Sequence, residues 1–128
     1  MGNGTDAEKV VREFCAAFEA HDAEAVRPYL AEDVVYHNIP MDPAVGQDAA
    51  IAFLAGFLTM CDKMEIEITN LAAEGNVVLT ERVDTFKVGD LVAPLPVMGV
   101  FEIRDGKIAA WRDYFDMAQA TAAFSGGA

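Results

Sequence analysis

Nucleophilic side chains are scarce in this chain of 128 residues. The single serine is Ser125, close to the C-terminus, so a serine nucleophile activated by a histidine is effectively excluded. The two cysteines, Cys15 and Cys61, stand among apolar residues without the cluster of positive charge that a reactive thiolate needs. We therefore expect two buried free thiols rather than a disulfide or a catalytic cysteine.

Signatures for metals and nucleotides are also missing. The two histidines, His21 and His37, stand apart, and the chain has no HExxH motif, no CxxC motif and no loop of clustered carboxylates. We therefore expect no dedicated metal site. No GxGxxG or Walker sequence is present, so no nucleotide cofactor is indicated. The sequence predicts an activity without cofactors, and the chemistry that remains is that of carboxylates and arginine.

Positive charge is scarce as well, with 9 Lys and Arg against 21 Asp and Glu and a formal net charge of −12. This sign argues against a nucleic-acid or anionic-membrane partner, because no basic cluster could neutralise phosphates. No apolar run approaches the roughly 20 residues of a membrane helix, and the first residues lack the basic and apolar regions of a signal peptide. We expect a cytoplasmic protein whose charge serves solubility.

Apolar residues make up 53% of the chain, enough for the core of a single domain over residues 1–128. In the first half they recur with helical spacing, after a capping box at Thr5 and Glu8. Pro28 should kink or shorten the second helix. We predict helices at residues 6–20, Ala23–Ala31 and Gln47–Met60, and a short strand at Val34–Ile39.

From Met64 onward the pattern changes to strands separated by turn-forming glycine pairs. Pro94 and Pro96 have no N–H for a ladder, so residues 91–96 should lie at an edge, a bulge or an opening. We predict strands at residues 64–73, 76–88, 91–103 and 107–116, turns at Gly75–Asn76, Gly89–Asp90 and Asp105–Gly106, and a short closing helix at residues 117–124. This order indicates an α+β fold, in which helices cover one face of a curved sheet and enclose a pocket.

Charged residues occur at positions where these strands should face the core. Arg82 and Asp84 are two apart and share a strand face, and Asp113 shares one with Trp111 and Phe115. If both carboxylates meet Arg82 in one pocket, repulsion and desolvation favour keeping one of them protonated, so the site holds an acid and a base. The alternative is a buried Arg82–Asp84 salt bridge with a separate Asp113 at the surface. The spacing leaves both open.

Two more polar residues share a strand face. Tyr36 and Asn38 present a hydroxyl and an amide, and such groups can hold a water molecule while a carboxylate removes its proton. By the same alternation Glu81 and Asp116 should point away from the pocket, as solvated or structural residues, and so should Arg112, as a surface or interface cation. His37 should also face away from Tyr36 and Asn38.

Six stretches of the sequence form a recognisable set: Tyr36–Pro40, Gly46–Ala49, Thr80–Asp84, Gly99–Phe101, Gly106–Ile108 and Trp111–Asp116. Together they resemble the limonene-1,2-epoxide hydrolase family, part of the nuclear-transport-factor-2-like (NTF2-like) and SnoaL-like superfamily. They fall in the family's order and cover roughly residues 5–124, and the ERVD and WRDYFD runs are quite specific. The helical half matches only in pattern.

The resemblance implies a cone-shaped NTF2-like fold with a curved, mixed, mostly antiparallel β-sheet, wrapped by three to four helices around an apolar pocket, and usually a homodimer. It implies that Asp113 is the general base and that Asp84 is the acid that protonates the epoxide oxygen. Arg82 would bridge them, and Tyr36 and Asn38 would position the water. Ring opening would then be one step to a vicinal diol, with no covalent intermediate.

The resemblance also implies an apolar wall suited to a small, cyclic, terpene-like epoxide. We expect this wall to contain Phe57, Leu58, Leu95, Val97, Trp111 and Phe115. The same superfamily carries ketosteroid-isomerase-like and polyketide-cyclase-like enzymes, which transfer protons without consuming water. A ligand-binding module without catalysis is a third possibility, because fold alone does not determine function.

Overall fold

The computed structural model describes residues 2–124, with side chains from Asp6 to Ala123. Thr5, predicted to cap the first helix, instead lies within its first turn, and its side chain is not among those described. The residues from Ser125 onward lie outside the described part. The elements in chain order are helix α1 (Gly2–Ala17), a 3₁₀ turn (Phe18–Ala20), a 3₁₀ helix (Ala23–Tyr29), strands β1 (Leu30–Asn38) and β2 (Ala44–Val45), helix α2 (Gln47–Leu58), strands β3 (Lys63–Glu74), β4 (Val77–Val88), β5 (Leu91–Arg104) and β6 (Lys107–Tyr114), and helix α3 (Met117–Phe124).

All strands of the described chain form one sheet, in the order β2-β1-β6-β5-β4-β3. The predicted antiparallel meander from β3 to β6 is confirmed, and so is the α+β fold class. Strand β1 joins this meander by pairing in parallel with β6, and β2 pairs antiparallel with β1. The sheet is therefore mixed but mostly antiparallel. The parallel pair brings the N-terminal third of the chain beside its last strand.

The predicted hairpin turns lie where expected, and each begins or ends with a residue of positive φ. At the last turn both Asp105 (φ 52°) and Gly106 (φ 75°) adopt the left-handed region, as a type I′ turn requires. The prolines of β5 lie on a local edge, as predicted. Pro94 and Pro96 pair with β4, but the pairing of β5 with β6 begins only at Met98. Their missing N–H groups therefore break no ladder on the β6 side.

The helical half departs from the prediction at several boundaries. Helix α1 begins at Gly2 rather than residue 6, and α2 ends at Leu58 rather than Met60. The second predicted helix is a 3₁₀ helix that stops at Tyr29, directly after Pro28. Leu30 already belongs to β1, because it pairs with Ile108 of β6. Tertiary pairing thus extends the strand four residues upstream of its predicted start at Val34.

The helices cover one face of the curved sheet, as predicted, and inward-facing strand residues alternate with exposed ones. The largest fully buried side chains include Phe14 of α1, Phe18 of the 3₁₀ turn, and Phe101 and Ile108 of the sheet. Both predicted free thiols are confirmed as buried and unpaired, at Cys15 and Cys61. Helices within residues 2–124 are too short or too polar to span a membrane.

Candidate active site

A cavity of about 830 Å³ lies between the sheet and the helices. Five of the residues predicted for an apolar wall line it: Phe57, Leu95, Val97, Trp111 and Phe115. Leu58 does not line the cavity. It is 4% exposed and packs in the core, because successive helical side chains point about 100° apart and Phe57 takes the cavity side of α2.

Arg82, Asp84 and Asp113 meet in the wall of this cavity. The Arg82 Nε and Nη2 atoms donate to the two carboxylate oxygens of Asp84 at 3.1 and 2.9 Å. Nη1 and Nη2 donate to the two oxygens of Asp113 at 3.2 and 3.1 Å. All three side chains are buried, with Asp113 only 5% exposed. The alternative of a surface Asp113 is therefore wrong, and one arginine bridges both carboxylates.

The sheet register explains how Arg82 reaches Asp113 from two strands away. On adjacent strands Thr80 pairs with Gly99, and Gly99 pairs with Asp113. The Arg82 guanidinium crosses β5 above Gly99, where no side chain obstructs it. A Cβ atom added to Gly99 would overlap Arg82 Nη1 and lie 2.8 Å from Thr80 Oγ1 and 2.9 Å from Asp113 Oδ1.

Burial sets the protonation of this cluster. The pKa of Asp113 is raised, and burial is the largest cause. Repulsion from Asp84 also raises it, whereas attraction and hydrogen bonds from Arg82 lower it. Burial also disfavours the charged form of Arg82, yet the two carboxylates hold its pKa well above its usual range. With both carboxylates ionised the three groups carry a net negative charge in an apolar cavity. A single proton held between the two carboxylates relieves that charge.

A second polar set lies beside Asp113. Trp111 Nε1 donates to Asp113 Oδ1 at 2.9 Å, and the Tyr36 ring stacks on the Trp111 indole with centroids 3.8 Å apart. Asn38 Nδ2 donates to Tyr36 Oη at 2.9 Å, and across the parallel pair Asn38 lies opposite Asp113. Burial raises the pKa of Tyr36, so its hydroxyl stays protonated. Tyr36 and Asn38 both line the cavity, as their shared strand face predicted.

The residues predicted to point away from the pocket do so. Glu81 accepts a hydrogen bond from Asn70 at 2.7 Å, and Arg112 forms an ion pair with Glu102 at 2.7 Å. The Asp116 carboxylate accepts a hydrogen bond from the backbone N–H of Ala118 at the start of α3. Asp116 thus belongs to the start of this helix, and β6 ends at Tyr114 instead of the predicted residue 116. His37 Nε2 lies 2.8 Å from the carbonyl oxygen of Met41.

Several residues of the site were not predicted from the sequence. Thr80 accepts a hydrogen bond from Arg82 Nη1 at 3.1 Å, and strand alternation could have placed it beside Arg82 and Asp84. No local signal marks Gly99. The cavity is also lined by exposed methionines from two loops and from α3, and their sequence separation concealed this grouping. These methionines are Met41, Met60 and Met117.

Cys15 also lines the cavity. Burial raises the pKa of its thiol to about 12, while Arg82 acts in the opposite direction. The thiol therefore stays protonated at neutral pH, and a protonated thiol is a weak nucleophile. The geometry therefore favours acid–base chemistry by the two carboxylates over nucleophilic attack by Cys15.

Known proteins share this sequence pattern. A sequence model of the limonene-1,2-epoxide hydrolase catalytic domain matches residues 5–125. Epoxide hydrolase EphG of Mycobacterium tuberculosis is 36% identical over 107 residues, covering 84% of this chain and 71% of that protein.

Solved structures share the fold. The structure of a LEH-like epoxide hydrolase from M. tuberculosis matches with a TM-score of 0.84 and 33% identity, covering 97% of this chain and 92% of that one. A structure described as a SnoaL-like polyketide cyclase, from Jannaschia sp. CCS1, matches with a TM-score of 0.85, covering 98% and 95% of the two chains. Its identity is 17%, so the likeness concerns the fold alone.

Proposed function

The chain belongs to the limonene-1,2-epoxide hydrolase family, and on that basis we propose that it adds water to a small apolar epoxide and releases a vicinal diol. The observation that carries this proposal is one arginine joining two buried carboxylates in the wall of a mostly apolar cavity. Opening an epoxide with water needs a base for the water and an acid for the leaving oxygen. Two carboxylates that share a proton supply both.

Asp113 is the proposed base. Its ionised carboxylate removes a proton from a water molecule that hydrogen bonds from Tyr36 and Asn38 hold in place. The raised pKa of Asp113 makes its carboxylate a stronger proton acceptor than an exposed aspartate. As the proton leaves, the water oxygen forms a bond to one epoxide carbon. The bond between that carbon and the epoxide oxygen breaks in the same step.

Asp84 is the proposed acid. Its carboxyl proton passes to the epoxide oxygen as the carbon–oxygen bond breaks, so the product carries two hydroxyl groups. Asp113 now holds the proton taken from water, and Asp84 is ionised. The cluster therefore keeps one proton throughout, and transfer from Asp113 to Asp84 restores the starting state. Arg82 offsets the repulsion between the carboxylates at every stage. No covalent intermediate or cofactor takes part.

We propose a cyclic, terpene-like substrate because the cavity is lined mostly by apolar side chains. Its charged groups are gathered around Arg82, so the epoxide oxygen should point toward Asp84 and the hydrocarbon toward the apolar wall. Phe57, Leu95, Val97 and Phe115 would then contact the ring of the substrate. Binding energy from these apolar contacts orients the epoxide carbon toward the water held beside Asp113.

The test is diol formation in ¹⁸O-labelled water from cyclohexene oxide, limonene 1,2-epoxide and bulkier apolar epoxides. The wild type should give diol with one labelled oxygen, and Asp113→Asn should lower kcat/KM by about 10² to 10⁴-fold. Asp116→Asn is the matched control, because Asp116 lies outside the cavity and asparagine can also cap α3. Dialysis against a chelator should leave the rate unchanged.

Three outcomes would count against the proposal. A wild type that forms no diol from any of these epoxides is not an epoxide hydrolase of this kind. Turnover without incorporation of labelled oxygen would instead favour a proton-transfer enzyme of the isomerase type. Unchanged ligand affinity in Asp84→Asn and Asp113→Asn, together with no turnover, would favour a binding module.

We further propose that two copies of the chain form a homodimer through the outer face of the sheet. The family resemblance implies a dimer, and this face exposes the apolar side chains of Leu79, Met98 and Tyr114. Contiguous apolar groups on the surface favour association. Sedimentation at micromolar concentration should give twice the mass of the chain, and introducing a charge by Met98→Glu should give the monomer. A wild-type monomer would contradict this.

A further inference from the structure

Every N–H group of the Arg82 guanidinium has an acceptor. A guanidinium carries five such hydrogens, one on Nε and two on each terminal nitrogen. Asp84 accepts from Nε and Nη2, and Asp113 accepts from Nη2 and Nη1. One hydrogen on Nη1 remains, and Thr80 Oγ1 accepts it at 3.1 Å. The two carboxylates alone therefore leave the cation incompletely bound, and Thr80 completes it.

Water has little access to replace Thr80. The threonine is 0% exposed and Arg82 is 2% exposed. A buried donor without an acceptor is costly, and most so when the donor is charged. Without the Thr80 hydroxyl, the guanidinium would have to rotate or shift toward another acceptor. Any such movement lengthens the two parallel hydrogen bonds to Asp113, because those bonds depend on a planar, bidentate alignment.

Gly99, on the neighbouring strand β5, allows the Arg82 guanidinium to approach the sheet closely. A Cβ atom there would collide with Arg82 Nη1 and crowd Thr80 and Asp113, so the close approach requires a residue without a side chain. Thr80, Gly99 and Asp113 lie side by side on three strands. Together they form the binding site of the Arg82 guanidinium, in which Thr80 accepts a hydrogen bond and Gly99 leaves the space that Nη1 occupies.

We propose that Thr80 and Gly99 are positioning residues, which hold Arg82 in the one orientation that binds Asp84 and Asp113 together. The structural part of this inference is independent of the substrate. Its catalytic consequence rests on the proposed epoxide hydrolysis.

The consequence concerns the strength of Asp113 as a base. The titratable groups that face it are Arg82 and Asp84 from β4, Tyr36 from β1 and Cys15 from α1. Of these only Arg82 stabilises the ionised carboxylate by charge. Loosening the contact between Arg82 and Asp113 should therefore raise the pKa of Asp113. The base would then become ionised only at higher pH, and the acid limb of the pH profile of kcat/KM would move upward.

The experiment compares Thr80→Val with Thr80→Ser. Valine keeps the shape of threonine and removes the hydroxyl, whereas serine keeps the hydroxyl. Thr80→Val should lower kcat about tenfold with KM changed less than about twofold, and should move the acid limb up by about half a pH unit or more. Thr80→Ser should keep the wild-type limb. Val78→Ala is the structural control, because Val78 is equally buried on the same strand face.

Val78→Ala should lower the melting temperature without moving the pH profile. If Thr80→Val loses stability but keeps the wild-type limb, Thr80 is only a core residue and the inference is wrong. Gly99→Ala should lower kcat/KM by about 10²-fold or more, because Arg82 must move aside. If Gly99→Ala does not fold, the Thr80 pair still decides the matter.

A second measurement separates this inference from the proposed function. Titration of the aspartate carboxyl carbons by ¹³C NMR follows Asp113 directly and needs no substrate. The Asp113 midpoint should rise in Thr80→Val and stay in Thr80→Ser. An inactive wild type with this NMR shift would overturn the hydrolase proposal alone. An active wild type with an unshifted Thr80→Val midpoint would overturn the positioning role alone.

Discussion

Two arginines in this protein each join two carboxylates, and they do so in opposite surroundings. The Arg82 side chain is 2% exposed, and its partners Asp84 and Asp113 are buried with it. Arg27 lies at the surface with a side chain 33% exposed, and the side chain of its partner Asp48 is 95% exposed. The same ion-pair chemistry therefore operates once almost without water and once in competition with it.

Arg27 ties the 3₁₀ helix to the start of α2. Its Nε donates to Glu24 at 2.6 Å, and its Nη1 donates to Asp48 at 2.8 Å and to Gln47 at 3.0 Å. Water can replace each of these contacts. Arg82 has no such substitute, so its orientation is determined by its protein partners alone. Access to water, rather than the number of contacts, therefore decides how much the structure depends on each arginine.

The largest difference between the two arginines should appear in activity, tested by the same change at both positions. Arg82→Lys should lower kcat/KM on the best epoxide by at least about 10²-fold, because an ammonium cannot bind two carboxylates bidentately. Arg27→Lys should stay within about twofold of the wild type, because Arg27 lies outside the cavity. Steady-state kinetics checks both. Near-wild-type activity of Arg82→Lys would mean that charge alone suffices.

The next largest difference between Arg82 and Arg27 should appear in the stability lost when each is replaced by leucine. Arg82→Leu leaves two buried carboxylates without a cation, which should cost about 3 to 5 kcal/mol of unfolding free energy at neutral pH. Lowering the pH should restore part of this loss, because protonation neutralises the carboxylates. Arg27→Leu should shift the melting temperature by only about 2 °C. Urea unfolding and thermal melts measure these changes, and equal losses at the two positions would refute the comparison.

The two networks should also respond to pH in opposite directions. Burial raises the pKa of Asp113 above its ordinary value of 3.8, so its contribution to stability is present below that value and is lost as pH rises through its folded pKa. The hydrogen bond from Arg27 lowers the pKa of Glu24 below its ordinary 4.5. Its contribution is present above that value and is lost as pH falls through its folded pKa.

Urea unfolding from about pH 3.5 to 7 tests these signs. Relative to Asp113→Asn, the wild type should lose stability as pH rises. Relative to Glu24→Gln, it should gain stability over the lowest part of that range. Two differences that change in the same direction would contradict the assignment.

The smallest expected difference between the two arginines is in the salt dependence of their contributions to the melting temperature. Raising NaCl from about 0.05 to 1 M shortens the Debye length to about 3 Å and screens exposed charges. The melting-temperature difference between the wild type and Arg27→Gln should therefore shrink by about half or more. The difference for Arg82→Gln should hardly change, because ions do not enter the buried cluster. Strong salt dependence at Arg82 would show that water reaches it.

Much of the meander and of the site was predictable because strand geometry is local. Alternation placed Arg82 and Asp84 on one face, and glycine turns fixed the hairpins within one or two residues. The parallel pairing of β1 and β6 was not predictable from periodicity, since it depends on where two distant strands meet. Leu58 was assigned to the wall wrongly, because adjacent helical residues face different directions and no local signal chose between them.

Gly99 shows a second limit of sequence reasoning. Its importance depends on a guanidinium that arrives from the neighbouring strand and on a carboxylate on the other side. No pattern within β5 records either neighbour. Thr80, in contrast, was within reach of the alternation argument, but a single threonine among charged residues carries no chemical signature of its own. Contacts that cross strands are therefore the part that required three dimensions.

The parallel pairing of β1 with β6 also determines when the site can form during folding. These strands lie far apart in the chain, so their pairing closes a long loop and should follow the short hairpins of β3 to β6. Tyr36 and Asn38 meet Asp113 only across this late contact. A refolding chain should thus regain its sheet signal before its activity. During synthesis, the site cannot assemble until β6, the last strand of the sheet, has left the ribosome.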